Sequence, residues 1–441
     1  MRTLVLVDGE HYPPVTRWAI DVARERGYDV IAALLVGGSE KLSAGETPDL
    51  QIPVWVAGPD RMGALREAID AVGPDLILDL SDEPVLGYRE RMELVAVSLI
   101  AGIPYEGPDF RFAPPDSGPA LQVPTIAVIG TGKRAGKTAI AGEVARVADA
   151  MGLDPVVVAM GRGGPAKPQV IEPGSVNLER LLELVRRGEH AASDYLEDAL
   201  TTGVATVGAR RAGGGLAGAP FVSSVREAAE LAASRPTGLV ILEGSGAAVP
   251  PVPWDAAVLV IPAAAPLESV GGYLGPYRLL RSDLAVVTMA SGSSGPEHLS
   301  SLRSHVLRYL DDERYLVTDF VPKPLADVAG RRVFFTTTAP EPVAAEQARH
   351  LARTYGCEVV GWSARLADRA GLKEDLQRAG GFEVLLTELK AAAVDIACGT
   401  AISLGAEVVF VDNRVVVREG KDLGAAIRET IELARERASR R

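Results

Sequence analysis

The sequence predicts an α/β protein with a mostly parallel sheet, and two observations lead to that prediction. Short apolar runs alternate with longer amphipathic stretches along most of the 441 residues, which is the pattern of strands that alternate with helices. Near residue 125, an apolar run passes through a glycine-rich turn into an amphipathic stretch. A strand–helix–strand order of this kind builds a parallel sheet whose faces are covered by helices.

Each predicted element follows from these two periodicities. Residues 1–115 contain predicted strands at 4–7, 30–36, 54–56 and 76–80 and predicted helices at 15–26, 61–72 and 88–100. Beyond them we predict strands at 125–129, 156–159, 238–242, 257–261 and 284–288, a helix at 137–151, and a loop at 207–219, where glycines cluster. The last predicted strands are at 333–336, 358–362, 383–387 and 408–411, before a charged helix at 423–441.

The length of the chain is too great for one ordinary core, so several domains are expected. We predict an N-terminal α/β domain at residues 1–115, a second domain at residues 125–330, and a C-terminal α/β subdomain at residues 331–441. The stretch at residues 112–119 is rich in proline and glycine, which is typical of a linker between domains.

Composition and charge exclude several classes of protein. The formal net charge is −12, whereas proteins that coat nucleic acids or membrane surfaces need a basic face. The first apolar run is too short for a secretion signal, and no later run is long enough to cross a bilayer. The cysteines, Cys357 and Cys398, fit no metal-binding spacing. We therefore expect a cytoplasmic protein with reduced, buried thiols and no nucleic-acid or membrane partner.

The glycine-rich turn is the most specific motif in the sequence, and it predicts a P-loop. Its backbone N–H groups and the helix that follows would cradle the phosphates of a nucleoside triphosphate. Lys137 would reach the β- and γ-phosphates, and the Thr138 hydroxyl would bind Mg²⁺. An ordinary glycine-rich turn stays an alternative, because the first glycine of the usual motif is replaced by Thr131. The residues predicted to bind the nucleotide are Gly130, Thr131, Gly132, Lys133, Arg134, Gly136, Lys137 and Thr138.

The P-loop refines the predicted fold to a P-loop NTPase-type, mostly parallel sheet core with an additional N-terminal α/β domain. In such a sheet the functional groups collect at the carboxyl ends of the strands. Glu243 follows the predicted strand at residues 238–242, within Glu-Gly-Ser-Gly. A carboxylate at this position would bind Mg²⁺ or one of its waters. The alternative is a helix cap or a solvated loop acid.

Basic residues in two glycine-containing segments predict a second anion site. Arg162 lies in the first segment, and Arg210 and Arg211 lie in the second. Arginine on such a loop suits bidentate binding of phosphate. Together with Lys133, Arg134 and Lys137, these arginines would supply positive charge for catalysis at bound phosphates. For any single arginine, a solvent-facing surface pair is the alternative.

Two further groups of polar residues are less specific. Asp8, Glu10 and His11 follow the first predicted strand, at the edge where ligands usually bind, and we predict that they contact substrate. A role in capping a turn is the alternative. Lys390 and Asp395 lie in an alanine-rich stretch that reads slightly better as a solvated helix face than as a site, and no role is assigned to them.

Two of these motifs together resemble dethiobiotin synthetase and its relatives. In that family a Gly-Thr-x-x-x-x-Gly-Lys-Thr loop is followed by a strand that ends in Glu-Gly-x-Gly, and here these are residues 130–138 and 243–246. Gly132 stands where that family has an aspartate. The resemblance therefore implies only Thr138 and Glu243 as Mg²⁺ ligands.

A closer resemblance, to the cyclic 2,3-diphosphoglycerate synthetase family, covers nearly the whole chain. It is carried by Val-Asp-Gly-Glu-His-Tyr-Pro-Pro at residues 7–14, the P-loop, Ala-Met-Gly-Arg-Gly-Gly-Pro at 159–165 and Glu-Leu-Lys-Ala-Ala-Ala-Val-Asp at 388–395. The resemblance implies that ATP drives closure of a small anionic substrate, 2,3-diphosphoglycerate, into its cyclic pyrophosphate, with release of ADP and phosphate. We also expect a homodimer.

Two other functions stay open on the sequence alone. A P-loop kinase, or an amide-forming ligase of the dethiobiotin type, would act on another small anionic acceptor. A nucleotide-dependent switch, such as a GTPase or a metallochaperone, would hydrolyse nucleotide slowly and change partners. The arginine-bearing loops and the separate N-terminal domain favour a small anionic substrate over a switch.

Overall fold

A computed structural model describes residues 1–38, 47–291 and 295–441. The chain forms two compact units. The first contains Met1–Asp116 and Leu267–Arg281, and the second contains Ser117–Pro266 and Ser282–Arg441. A short segment therefore leaves the second unit, contributes to the first and returns. The domain boundaries predicted at residues 115, 125 and 331 stay a prediction.

The first unit is built on a six-stranded sheet. Its elements up to residue 112 are β1 (Arg2–Val7), α1 (Pro13–Glu25), β2 (Asp29–Leu35), β3 (Val54–Val56), α2 (Arg61–Val72), β4 (Leu76–Asp79), α3 (Tyr88–Ile100), β5 (Tyr105–Glu106) and β6 (Arg111–Phe112). The strand order is β3-β2-β1-β4-β5-β6, and only β5 and β6 pair antiparallel. The predicted bounds of α2 and α3 are confirmed. The Asp60 side chain caps α2 by accepting a hydrogen bond from the Gly63 N–H over 2.8 Å.

The remaining elements alternate in the same way. They are β7 (Thr125–Gly130), α4 (Lys137–Ala150), β8 (Val156–Gly161), β9 (Gln169–Ile171), α5 (Leu178–Arg186), α6 (Asp194–Thr202), β10 (Ala205–Ala212), β11 (Val222–Ser223), α7 (Val225–Ala233), β12 (Val240–Glu243), β13 (Ala256–Pro262), α8 (Leu267–Gly271), α9 (Gly275–Leu280), β14 (Leu284–Thr288), α10 (Pro296–Val306), a 3₁₀ turn (Asp312–Arg314), β15 (Tyr315–Pro324), β16 (Arg332–Thr336), α11 (Glu341–Tyr355), β17 (Glu358–Ser363), α12 (Arg369–Arg378), β18 (Val384–Thr387), a π-helix (Ala393–Cys398), α13 (Gly399–Ser403), β19 (Glu407–Glu419) and α14 (Leu423–Ser439).

Helices α8 and α9 belong to the first unit although they follow β13 in the chain. Helix α9 packs against α3. The Tyr273 N–H, between the two helices, donates a hydrogen bond to the Tyr88 hydroxyl over 2.7 Å. Glu268 of α8 forms an ion pair with Arg89 of α3. The first unit therefore takes part of its structure from a segment far along the chain.

The second unit contains a thirteen-stranded sheet with the order β11-β10-β8-β12-β7-β13-β14-β15-β19-β18-β16-β17, and β9 pairs with β10. The antiparallel pairs are β9 with β10, β10 with β11 and β15 with β19. All other pairs are parallel, so the predicted mostly parallel α/β architecture is confirmed. Strand β7 lies between β12 and β13. The carboxyl end of β7 is therefore flanked by those of two parallel neighbours, where α/β proteins bind ligands.

The predicted loop at residues 207–219 is wrong in its first half. Residues Ala205–Ala212 form β10, which pairs with β8, β9 and β11. The segment's glycine content suggests a loop. Strands remote in sequence nevertheless supply hydrogen-bond partners for its backbone N–H and C=O groups. Arg210 and Arg211 consequently lie at the end of a strand, and the glycines from residue 213 onward lie outside it.

The residues after 331 share a core with the P-loop region. Leu389 and Phe410 belong to one buried cluster with Leu181 of α5 and Leu196 of α6. Helices α14 and α4 contribute to a second cluster that covers β7 and its neighbours. Both cysteines are free and buried, as predicted. In the parts of the chain that the structure describes, every helix is too short or too polar to span a bilayer.

Candidate active site

The glycine-rich turn leads from the end of β7 into α4. Gly136 occupies the N-cap of α4 with a φ of 86°. A methyl group on Gly136 would lie 2.4 Å from Cζ of Phe320, so both the backbone conformation and the neighbouring ring require glycine. The N–H groups in the first turn of α4 have no intrahelical partners, which is how a helix N-terminus binds an anion. The turn therefore has the features of a P-loop.

Lys137 is a buried lysine that lies between two turns. Only 8% of the residue is exposed, and its Nζ donates hydrogen bonds to the carbonyls of Gly132 over 2.9 Å and Gly246 over 3.1 Å. Burial lowers the pKa of Lys137, and the charge of Glu243 opposes that effect. The partners of the ammonium group are neutral carbonyls, so its charge is available to an anion at the loop.

Thr138 and Glu243 meet where β12 ends beside the P-loop. The Thr138 hydroxyl donates to Oε1 of Glu243 over 2.7 Å. Glu243 is 2% exposed, and its Oε2 has no hydrogen-bond partner among the described residues. Burial, followed by the charge of Asp194, raises the pKa of Glu243 to about 7. This pair of groups fits Mg²⁺, which binds hard oxygen ligands and keeps several waters.

Helix α6 places two more carboxyl groups near Glu243, and sequence reasoning misses both. Asp198 is fully buried, and neither of its carboxyl oxygens has a hydrogen-bond partner in the described parts of the chain. Burial and then Glu243 raise the pKa of Asp198 well above its usual range. Asp194 lies one turn earlier on α6. The sequence contains one indication that Asp198 is buried, because this residue lies beside Ala199 on the apolar face of an amphipathic helix.

A metal at this site would also depend on phosphate oxygens. Across residues 1–38, 47–291 and 295–441, no three His, Cys, Asp or Glu side chains are arranged to hold a metal ion. Mg²⁺ is commonly held by one or two carboxylates together with substrate phosphates. Thr138 and Glu243 match that smaller donor set.

The six predicted basic residues have one property in common. Among the described residues, none of them forms an ion pair with a carboxylate. Some arginines elsewhere form such pairs, as Arg146 does with Glu143 over 2.9 Å. The six are Lys133, Arg134, Lys137, Arg162, Arg210 and Arg211. Among the described residues, no paired carboxylate therefore offsets their positive charge.

Three of these basic residues lie at or just after the carboxyl ends of the paired strands β8 and β10. Arg210 Nε donates to the Gly164 carbonyl over 2.6 Å, next to the Arg162 loop. Arg211 Nη2 donates to the Ser245 carbonyl over 2.6 Å, in the turn that also holds Lys137. The charges of Arg211 and Arg162 contribute to the lowered pKa of Lys137. The structure thus brings Arg162, Arg210, Arg211 and Lys137 to one edge of the sheet.

In the first unit, Asp8 connects the turn after β1 with the segment after β4. It accepts hydrogen bonds from the backbone N–H of Glu10 over 3.1 Å, of His11 over 3.3 Å and of Asp82 over 2.8 Å. The His11 ring contacts the same carboxylate through Nδ1 at 2.8 Å. These contacts are those of a capping residue, while Glu10 and His11 stay partly exposed. A substrate role for the three residues stays a prediction.

Lys390 does not lie on a solvated helix face, so that interpretation is wrong. It precedes the π-helix, and its Nζ lies 3.2 Å from Oε1 of Glu197 on α6. Burial lowers the pKa of Lys390, but Glu197 and Glu388 outweigh burial and raise it overall. The prediction fails because this contact is tertiary. Helix α6 is almost two hundred residues away in sequence, and no local pattern reveals the pairing of Lys390 with Glu197. Asp395 forms an ion pair with Arg369.

Comparison with protein families identifies all three parts of the chain. The N-terminal domain of cyclic 2,3-diphosphoglycerate synthetase matches residues 2–113, its P-loop domain matches residues 125–314, and its C-terminal domain matches residues 324–414. The predicted P-loop core with an additional N-terminal α/β domain is thereby confirmed.

Individual relatives match along nearly their full length. A protein named cyclic 2,3-diphosphoglycerate synthetase from Rubrobacter xylanophilus is 47% identical over 432 residues, which cover 97% of each chain. A protein of that name from Methanothermus fervidus is 38% identical over 448 residues, covering 98% of this chain and 97% of its own. A solved structure of LpxK from Aquifex aeolicus in complex with ATP covers 71% of this chain and 90% of its own, at 13% identity and a TM-score of 0.38, too low to support an argument.

The family profiles, the relatives and the motifs at residues 7–14, 130–138, 159–165 and 388–395 all agree. The chain belongs to the cyclic 2,3-diphosphoglycerate synthetase family.

Proposed function

We propose that the protein closes 2,3-diphosphoglycerate into its cyclic pyrophosphate and uses ATP, releasing ADP and phosphate. Relatives that align over nearly the whole chain carry the name of this activity. The observation that carries the proposal is the set of six basic residues without a carboxylate partner among the described residues, located on and around the P-loop. A kinase or ligase for another acceptor and a nucleotide-dependent switch are not favoured.

The reaction requires positive charge because it brings two polyanions together. Two unit charges 4 Å apart repel each other by about 4 kcal/mol at an effective dielectric constant near 20. Several such pairs arise when ATP meets a substrate with two phosphates and a carboxylate. Fixed cations that face the reacting groups offset this repulsion without reorganising. Lys137, Arg162, Arg210 and Arg211 are placed to do so.

The P-loop and the end of β12 form the nucleotide side of the site. Lys137 binds the β- and γ-phosphates, and the N–H groups of the loop and of α4 donate to phosphate oxygens. The Thr138 hydroxyl and Glu243 would hold Mg²⁺, with Asp194 near enough to affect the pKa of Glu243. When bound, the metal offsets negative charge on the nucleotide's phosphates.

Two displacements at phosphorus account for the products. The bond between the γ-phosphorus and its bridging oxygen breaks, the electron pair stays on ADP, and an oxygen of one substrate phosphate bonds to the transferred group. An oxygen of the second substrate phosphate then attacks the phosphorus of the activated phosphate. The transferred group leaves as orthophosphate, which takes up one proton from solvent, and a P–O–P bond closes the ring. Positioning and charge neutralisation carry the catalysis, and no protein nucleophile is needed.

The substrate-side arginines give a first prediction. Arg162→Ala and Arg210→Ala should each raise the KM for 2,3-diphosphoglycerate about tenfold and the KM for ATP less than about twofold, because one charge-assisted hydrogen bond is lost from the second polyanion. Steady-state kinetics with each substrate varied in turn would measure both values. Arg235→Ala is the matched control, since this arginine is 2.9 Å from Glu172 and already neutralised. Equal increases in both KM values would place the arginines at the nucleotide instead.

The polar residues after β1 give a second prediction. We propose that Glu10 and His11 contact 2,3-diphosphoglycerate. Glu10→Ala and His11→Ala should raise the KM for 2,3-diphosphoglycerate severalfold and leave ADP affinity, measured by calorimetry, unchanged. Asp8→Asn should mainly lower the free energy of unfolding, by about 1–3 kcal/mol, because the Asp8 oxygens accept hydrogen bonds from backbone N–H groups. Unchanged kinetics in both Glu10→Ala and His11→Ala would show that these residues have no part in catalysis.

We further propose that the protein acts in the cytoplasm as a homodimer. Strand β11 lies at the edge of the thirteen-stranded sheet, and Phe221 beside it is 91% exposed. A subunit contact would cover this ring. Sedimentation equilibrium of the purified protein tests the proposal, and a mass of one chain at all concentrations would refute it.

Phosphorus NMR of the protein with Mg-ATP and 2,3-diphosphoglycerate tests the proposed activity directly. A new pair of pyrophosphate signals, formed together with ADP and orthophosphate, is the expected result. A phosphorylated product without ring closure would indicate a kinase. Slow release of phosphate from ATP that is independent of 2,3-diphosphoglycerate would indicate a nucleotide switch.

A further inference from the structure

Arg210 and Arg211 are neighbours in sequence, but their side chains have different surroundings. Successive residues of a strand point to opposite faces of the sheet. Arg210 is exposed and bonds to Gly164 on the loop that carries Arg162. Arg211 is only 9% exposed and reaches the turn after β12. The two arginines therefore need separate assignments.

The Arg211 guanidinium converges with two P-loop lysines on Gly246. Lys137 Nζ donates to the Gly246 carbonyl over 3.1 Å. A methyl group placed on Gly246 would lie 3.3 Å from Nη2 of Arg211 and 3.7 Å from Cγ of Lys133. The glycine, with a φ of 63°, allows all three side chains to approach one short stretch of backbone. Arg211 is thus a member of the cationic group at the nucleotide phosphates.

Among the described residues, Arg211 has no carboxylate partner to compensate its burial. Its acceptors are the carbonyls of Gly213 and Ser245, each at 2.6 Å, and the Ser245 hydroxyl at 3.2 Å. Its Nε is buried and has no hydrogen-bond partner within the described residues. Removing a charge from water without an opposite charge costs several kcal/mol. A group supplied by an anionic ligand would offset that cost.

We propose that Arg211 is a catalytic residue that contacts the γ-phosphoryl group of ATP while it is transferred, a role that Arg210 does not share. The inference rests on the proposed function and deepens it. As the bond from the γ-phosphorus to the bridging oxygen breaks, negative charge builds on that oxygen and on ADP. The new bond forms from a substrate phosphate oxygen at the same time. The guanidinium stabilises the charge shared by these oxygens and neither gains nor loses a proton.

The first test compares Arg211→Ala with Arg210→Ala. An arginine that contacts the transferring group contributes about 10³–10⁵ to kcat. Arg211→Ala should therefore lower kcat by about 10³-fold or more, with ADP affinity within about threefold of wild type. Arg210→Ala should instead raise the KM for 2,3-diphosphoglycerate. An Arg211→Ala enzyme with near wild-type kcat and a raised KM for 2,3-diphosphoglycerate would overturn the proposal.

A second measurement separates a catalytic role from a structural one. ADP with aluminium fluoride imitates the transferring phosphoryl group, and its affinity can be measured by calorimetry without any acceptor. Wild type and Arg210→Ala should bind it much more tightly than ADP alone, and Arg211→Ala should lose that difference. Added guanidinium should restore part of the Arg211→Ala activity. Retained affinity for ADP with aluminium fluoride in Arg211→Ala would overturn the proposal.

Should Arg211→Ala fold poorly, Arg211→Lys keeps the charge and most of the length of the side chain. It should melt near the wild-type temperature and still lose most of kcat, because lysine lacks the planar fork. Full activity in Arg211→Lys would overturn the role of the guanidinium. A wild-type protein that binds ADP with aluminium fluoride tightly but makes no cyclic product would contradict the proposed function and leave the role of Arg211 intact.

Discussion

Lys137→Ala is expected to lower turnover by about a thousandfold or more, the loss that follows removal of a preorganised charge at the transferring group. Lys137 is buried, and its Nζ is held by two neutral carbonyls beside the P-loop. The fold should persist, because a buried ammonium without a counter-ion contributes little net stability. The melting temperature should therefore change by only a few degrees.

Rates of ADP and cyclic product formation, with a thermal melt of the same sample, would measure this effect. Lys133→Ala is the matched control, because Lys133 lies in the same loop but is exposed. Its loss should lower turnover about tenfold or less, since solvent screens an exposed charge. A Lys137→Ala enzyme with turnover close to that of wild type would show that the P-loop assignment is wrong.

Glu243→Gln is expected to lower turnover by about 10²–10³ and to raise the Mg²⁺ concentration needed for half-maximal activity. Glutamine keeps an oxygen that accepts from the Thr138 hydroxyl, but it removes the negative charge that attracts the metal. Glu243 is buried with one oxygen unpartnered among the described residues. Removing that charge should leave the melting temperature unchanged or raise it.

Glu388→Gln provides the matched control for the metal site. Glu388 also follows a parallel strand and is also buried, but its oxygens accept from Thr337, Thr338 and Asn413. Burial alone would raise the pKa of Glu388. Lys390 and these hydrogen bonds outweigh burial, so the pKa is lowered overall. Glu388→Gln should lower the free energy of unfolding by about 1–3 kcal/mol and leave the Mg²⁺ titration unchanged. If the Mg²⁺ titration were also unchanged in Glu243→Gln, Glu243 would have only a structural role as a cap.

The parts of the structure that the sequence predicts are those determined by local patterns. The bounds of α2 and α3 follow from periodicity and end signals such as Asp60. The P-loop is predicted because its strand, its glycines and its helix are contiguous in the sequence. Glu243 is found because a strand end in a parallel sheet is a known location for functional groups.

The parts that the sequence does not predict depend on contacts between distant segments. Strand β10 is formed by pairing with β8, although glycines in the segment favour a loop. Asp198 becomes part of the site only because α6 packs beside β8. Lys390 meets Glu197 because the C-terminal region shares a core with α5 and α6. Local propensity contains no information on such pairings.

The segment Leu267–Arg281 also affects the order in which the chain can fold during synthesis. A ribosome adds roughly 5–20 residues per second, so this segment follows residue 116 after about 8–30 s. Until then α3 lacks α9, against which it packs in the finished protein. An incomplete unit with exposed apolar surface is the kind of species that chaperones bind. The unit that begins the chain therefore completes its core only after most of the P-loop region has been made.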